Sequence, residues 1–116
     1  MTAQRHNKGK IDWPILDWKA LEPLVQAMSH GEIKYARHDW KKGMSMEILY
    51  GCAMRHLVAM MNGETYDIES GILHAGHAMA NLMMIAHYQQ KEETEELRKI
   101  IKNMMQANDG TNINLE

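Results

Sequence analysis

At 116 residues with a formal net charge of −2, the chain is the size of one ordinary domain and carries no excess of either sign. Its 13 Lys and Arg residues are scattered along the sequence, which argues against duplex nucleic acid as the main ligand and leaves room for a local phosphate site. Phe is absent, Met occurs 12 times and β-branched residues are sparse, so the expected fold class is all-α, with a core of Leu, Ile, Ala and Met.

The single Cys52 lies in an apolar run and has no partner for an internal disulfide, which fits a reducing compartment. No run of about 18 apolar residues is present, so no membrane partner is expected. The polar start from Thr2 to Lys10 lacks a secretory apolar stretch, and the expected location is the cytoplasm.

In chain order, residues 1–12 mix polar and basic residues without periodicity and are expected to be a flexible arm ahead of a single helical domain spanning residues 13–107. The spacing of Trp18, Leu21, Leu24, Val25 and Met28 predicts a first helix that Gly31 ends; Pro23 requires it to begin late or to kink. Glu32 to Met44 is too polar for core. A second helix is expected from about Met46 to Met61, capped by Ser45 and stopped by Asn62-Gly63.

Asp67 is read as the N-cap of a third helix from Ile68 to about Gln89, apolar on nearly every side, with Gly76 and Ala80 placed for close helix approach. A fourth, amphipathic helix from Glu92 to Met105 carries Leu97, Ile100, Ile101 and Met104 on one face, and residues 108–116 are expected to be a flexible tail. The two long apolar helices form a helical hairpin in this reading. Such a hairpin leaves its own apolar faces uncovered, which predicts a homo-oligomer, a dimer or larger, closing into a helical bundle.

His74 and His77 stand three apart on one helix face. Such a pair can hold a metal ion together with Asp67, donate to a ligand phosphate, or be satisfied internally by a carbonyl or hydroxyl. Arg55 and His56 sit on neighbouring faces of the second helix, where a guanidinium needs an anion, either a phosphate or the carboxylate of Asp67 or Glu69. Lys34, Arg37, His38 and Lys41 offer cations to phosphates and Tyr35 and Trp40 offer rings to a base, although a charged surface loop anchored by Trp40 explains the same residues. Glu92, Glu93, Glu95 and Glu96 read as a solvated turn.

The succession Gly31, Lys34-Tyr35, Trp40-Lys41-Lys42-Gly43, Arg55-His56, Asn62-Gly63-Glu64, Asp67-Ile68-Glu69-Ser70-Gly71 and His74-Ala75-Gly76-His77-Ala78 resembles the phage-encoded dATP/dGTP diphosphohydrolase N-terminal domain family. The resemblance implies a phage protein that handles purine deoxynucleotides, related in purpose to the all-α nucleoside triphosphate pyrophosphohydrolases. Its matching positions are Lys34, Tyr35, Trp40, Arg55, His56, Asp67, Ser70, His74 and His77. Mg²⁺ or Mn²⁺ is the cofactor it implies. Those pyrophosphohydrolases hold their ions with Glu-x-x-Glu and Glu-x-x-Asp pairs on facing helices, whereas here Glu47 is alone on the second helix and only Asp67 and Glu69 open the third.

The expected function is binding of purine deoxynucleotide phosphates, with hydrolysis of dATP or dGTP to the monophosphate and pyrophosphate as its catalytic form. The lack of such carboxylate pairs on facing helices suits the alternative, a non-catalytic sponge that sequesters nucleotide second messengers of antiphage defence. A purely structural helical partner is the third possibility.

Overall fold

The computed structural model describes residues 3–4 and 8–111. Among them the chain is all-helical: α1 (Glu22–Gly31), α2 (Met46–Met61) and α3 (His74–Thr111), with short 3₁₀ turns at Trp13–Ile15, Lys19–Leu21 and Asp39–Lys42. Pro23 falls in the first turn of α1, where its missing N–H costs nothing. Upstream, Asp17 Oδ1 accepts the Ala20 N–H at 3.3 Å in the 3₁₀ turn that leads into α1. Ser45 precedes α2 in extended backbone without a side-chain capping bond, and Gly63, at φ +89°, turns the chain away from its end.

The third helix departs from expectation at both ends. It starts at His74, not Ile68, because residues 65–74 close into a tight loop. In that loop Asp67 N donates to Ile72 O at 2.8 Å, Gly71 N to Asp67 O at 2.7 Å and His74 N to Thr65 O at 3.0 Å. Gly71 takes φ +74°, a left-handed conformation that breaks any helix begun at Asp67. Asp67 is therefore a loop residue and caps no helix. Downstream, nothing between Gln89 and Glu92 interrupts the ladder, so the expected fourth helix is the continuation of α3, a 38-residue rod about 57 Å long. Its backbone stays helical to Thr111, into the stretch read as a tail; the rest of that tail, and residues 1–2 and 5–7 of the arm, lie outside the described residues.

Both α1 and α2 pack on α3. The closest approach is at Gly76, where a Cβ would lie 2.4 Å from the Pro23 carbonyl oxygen. The buried apolar set among the described residues is small: Ala27, Leu49, Ala53, Ala78, Ala80 and Ile85, with Leu49 fully covered. Far from being buried all round, α3 exposes Leu82 and Met83, and its stripe of Leu97, Ile100, Ile101 and Met104 is also exposed. The radius of gyration is 21.0 Å, against about 13 Å for a compact domain of this length.

Candidate functional site

The polar residues that the fold gathers come from α2, the 65–74 loop and the first turns of α3. On α2, His56 turns its ring toward α3, and its Nδ1 lies 2.8 Å from His74 Nδ1. One face of His56 stacks on His77, with ring centres 4.6 Å apart and planes 12° from parallel. His30, at the end of α1, meets the edge of His77 at 6.4 Å.

The loop supplies the hydroxyl and carboxylate. Asp67 Oδ2 accepts the Ser70 backbone N–H at 2.9 Å and the Ser70 hydroxyl at 2.7 Å. Ser70 Oγ also lies 2.7 Å from His77 Nε2 and accepts the Ile72 N–H at 3.2 Å. With its one proton given to Asp67, Ser70 Oγ can only accept from His77, which fixes the proton of that ring on Nε2. Ser70 is thus a positioning residue, holding the carboxylate and the imidazole in place, and it is not arranged as a nucleophile.

His74 is the buried member of the group. Among the described residues its Nε2 has no hydrogen-bond partner; the nearest carboxylate oxygen is Glu64 Oε1 at 3.5 Å, short of a full bond. That approach favours a proton on Nε2, which leaves the Nδ1 lone pair facing His56. One ligand atom each from His56, Asp67 and His74 lie within 4.8 Å of one another, close enough to share a metal ion. His77 Nε2 is 3.7 Å from Asp67 Oδ2 and directed at Ser70 instead.

Electrostatics favours the neutral form of His56 and His77. Burial pushes His56 below the ordinary histidine value, and the nearby His77 and His74 rings reinforce the shift against an opposing pull from Asp67. His77 is lowered by burial first, with Asp67 opposing and His30 and His74 adding to the shift. The Ser70 hydroxyl holds the Asp67 carboxyl below its usual range. At neutral pH the Asp67 carboxylate thus faces the neutral rings of His56 and His77.

A pH dependence follows with a definite sign. The unfolded chain takes up protons at His56 and His77 near pH 6.5, while the folded chain resists until lower pH, so this part of the stability is complete above about pH 6.5 and lost below it. Thermal melts in EDTA should show a lower Tm at about pH 5.5 than at about pH 7.5, and His56→Gln should flatten the difference. An unchanged slope in that variant would show that His56 is not one of the groups responsible.

The remaining candidates are placed elsewhere. Arg55 is exposed, and its Nη2 donates to Cys52 Sγ at 3.0 Å, engaging neither Asp67 nor Glu69. Arg37 pairs with Glu32 at 2.8 Å, while His38 takes a left-handed backbone with φ 64°. Lys34 and Tyr35 are exposed. Trp40 packs edge-on against His87 at 4.9 Å, with Lys41 over its ring and its carbonyl accepting the Tyr88 hydroxyl. His87 is 13 residues along α3 from His74, or about 20 Å, so within one chain the Trp40 loop and the imidazole cluster are separate. His30, in the last turn of α1, joins the cluster without a signal in the sequence, and Glu64 is marked only by its place in the Asn62-Gly63-Glu64 element of the resemblance.

The helical scaffold thus brings imidazoles, a carboxylate and a hydroxyl together at one loop. The family described as dATP/dGTP diphosphohydrolase, N-terminal, matches residues 1–98, and the chain belongs to it. A dATP/dGTP diphosphohydrolase of Salmonella phage PMBT28 is 32% identical over 85 residues, covering 73% of this chain and 29% of the relative. The chain therefore spans less than a third of the length of that curated relative. No solved structure matches it.

Proposed function

We propose that this chain is a phage module for handling purine deoxynucleotides, binding the triphosphate group of dATP or dGTP at the cluster of His56, His74 and His77. The convergence of these imidazoles with Asp67 and Ser70 on otherwise apolar helices carries the reading. Leu or Met at the same positions would avoid the desolvation cost of polar groups, so an internal reason or a ligand must account for them. His77 has an internal reason in Ser70, whereas the Nε2 of buried His74 has none. The name of the phage relative supplies the substrate class.

Catalysis in this reading is attack of water on the α-phosphorus, with cleavage of its bond to the α,β-bridging oxygen. Pyrophosphate leaves with the electron pair, and a neutral imidazole is suited to take the proton of the water. The site of action would be the cytoplasm of the infected host, where the deoxynucleotides are. Incubation with dATP or dGTP and Mg²⁺ or Mn²⁺, followed by both thermal shift and pyrophosphate release, tests the reading. Stabilisation with release is the expected result. Stabilisation without release would leave a binder, the sponge included, and the absence of both would remove the nucleotide reading.

The assembly belongs to the same proposal. The hairpin of α2 and α3 is taken to pair with that of a second copy, because Met54, Val58 and Met61 on α2 and the Leu97 to Met104 stripe on α3 are exposed in the single chain. Sedimentation at micromolar concentration should give a dimer or larger, and a clean monomer would contradict it.

A further inference from the structure

We propose that His56 Nδ1, His74 Nδ1 and a carboxylate oxygen of Asp67 form a site for one divalent transition-metal ion. One ligand atom from each of the three residues already lies within 4.8 Å of the others. The two Nδ1 atoms face each other at 2.8 Å, whereas two imidazole nitrogens on one ion are separated by about 2.9 Å at a right angle and about 3.4 Å in a tetrahedron. For the two imidazoles an opening of a few tenths of an ångström therefore suffices, while the Asp67 oxygen has to lie about 2.0–2.2 Å from the ion. The ion takes the place of the hydrogen atom that His56 Nδ1 directs at His74, and that proton moves to His56 Nε2, so no proton is released and the site gains the charge of the ion.

The surroundings of the ligands have the form that metal sites use. A ligating imidazole commonly donates its other N–H to a carboxylate, which sets its tautomer and orientation. Glu64 Oε1 stands 3.5 Å from His74 Nε2, the buried nitrogen that otherwise lacks a partner. Ser70 fixes Asp67 through Oδ2 from its backbone and hydroxyl alike. Gly71 and the closed 65–74 loop hold this carboxylate next to α3, a placement that an Asp capping a helix would not reach.

Two imidazoles with a single carboxylate suit Mn²⁺, Co²⁺ or Zn²⁺ better than Mg²⁺, which prefers oxygen ligands. Three protein ligands leave further coordination positions, and assigning these to phosphate oxygens rests on the nucleotide reading above. The ion site itself stands on the geometry.

The test is a titration of EDTA-stripped full chain with Co²⁺ alone, followed by visible absorption, with Zn²⁺ as competitor and nucleotide absent. One equivalent per chain is expected, displaced by Zn²⁺ and not by equimolar Mg²⁺, with affinity at least tenfold weaker in His56→Gln and Asp67→Asn and unchanged in the loop variant His38→Asn. Substitution of His74 risks the fold, so the third ligand is read on the unaltered protein: imidazole ¹⁵N resonances should shift with Zn²⁺ at Nδ1 of His56 and His74 and stay in place at His38 and His87. Absence of saturable Co²⁺ binding, or binding indifferent to His56→Gln and Asp67→Asn, would overturn the site. Because no nucleotide is present, either outcome is independent of the triphosphate titration.

Discussion

Gly76→Ala should lower the stability of this protein, although alanine in place of a helical glycine ordinarily raises it by up to about 1 kcal/mol. The reversal has a geometric cause. A Cβ at residue 76 would lie 2.4 Å from the Pro23 carbonyl oxygen, 2.6 Å from its carbon and 2.7 Å from its Cβ. The obstacle is mostly backbone in the first turn of α1, so no rotamer change relieves it and α1 must move off α3. Overpacking of this kind costs roughly 1–3 kcal/mol, a drop in Tm of several degrees for a domain of this size. Gly76→Leu should be worse. Gly51→Ala makes a suitable contrast, since its added carbon meets only the mobile end of Arg55 at 3.4 Å; it should be neutral or stabilising. If Gly76→Ala melted at or above the temperature of the unaltered chain, α1 would not sit on α3 as described. His30, carried by α1, would then not be held at the edge of His77 either.

Much of the helical framework is legible in the sequence, and for identifiable reasons. The bounds of α2 coincide with their punctuation, since Ser45 stands before it and Asn62-Gly63 after it. The shared face of His74 and His77 follows from their spacing of three, which holds wherever the helix begins. The misplaced start of α3 turns on Asp67, a residue equally at home as a helix cap and in a side-chain-closed turn. What decides between them is the left-handed Gly71 and the long-range bond from His74 N to Thr65 O, both set by tertiary closure. The same closure creates the Asp67–Ser70–His77 chain of contacts, which spans seven residues from Ser70 to His77 and has no periodic signature.

The Trp40 loop shows the converse. Its composition of cations and aromatics invites a ligand, yet its charges are partly spent on neighbours, Arg37 on Glu32 and Lys42 on Asp39, and Trp40 is docked on α3. The exposed apolar stripes have a different origin. Periodicity shows that a face needs covering, and only the folded chain shows that its own helices leave the Leu97 to Met104 face bare.

His56→Ala is expected to have the second large effect, on ligand affinity. The ring is half-buried, bonds to His74 Nδ1 and stacks on His77, so its removal strips the cluster of one wall while leaving Leu49 and Ala53, the buried apolar residues of α2, in place. His74→Ala is less informative, because that residue is buried and its loss strands neighbours. The most direct measurement is a calorimetric titration of dATP and dGTP into the unaltered chain, His56→Ala and Lys99→Ala, with the melting temperature of each ligand-free protein recorded beside it. A triphosphate contact through the cluster requires His56→Ala to weaken binding roughly 10- to 100-fold, equivalent to about 1–3 kcal/mol. Its Tm should stay within a few degrees of the unaltered chain, and Lys99→Ala, exposed on distal α3, should change neither quantity. Undiminished affinity in a folded His56→Ala protein would contradict the assignment of nucleotide binding to this cluster.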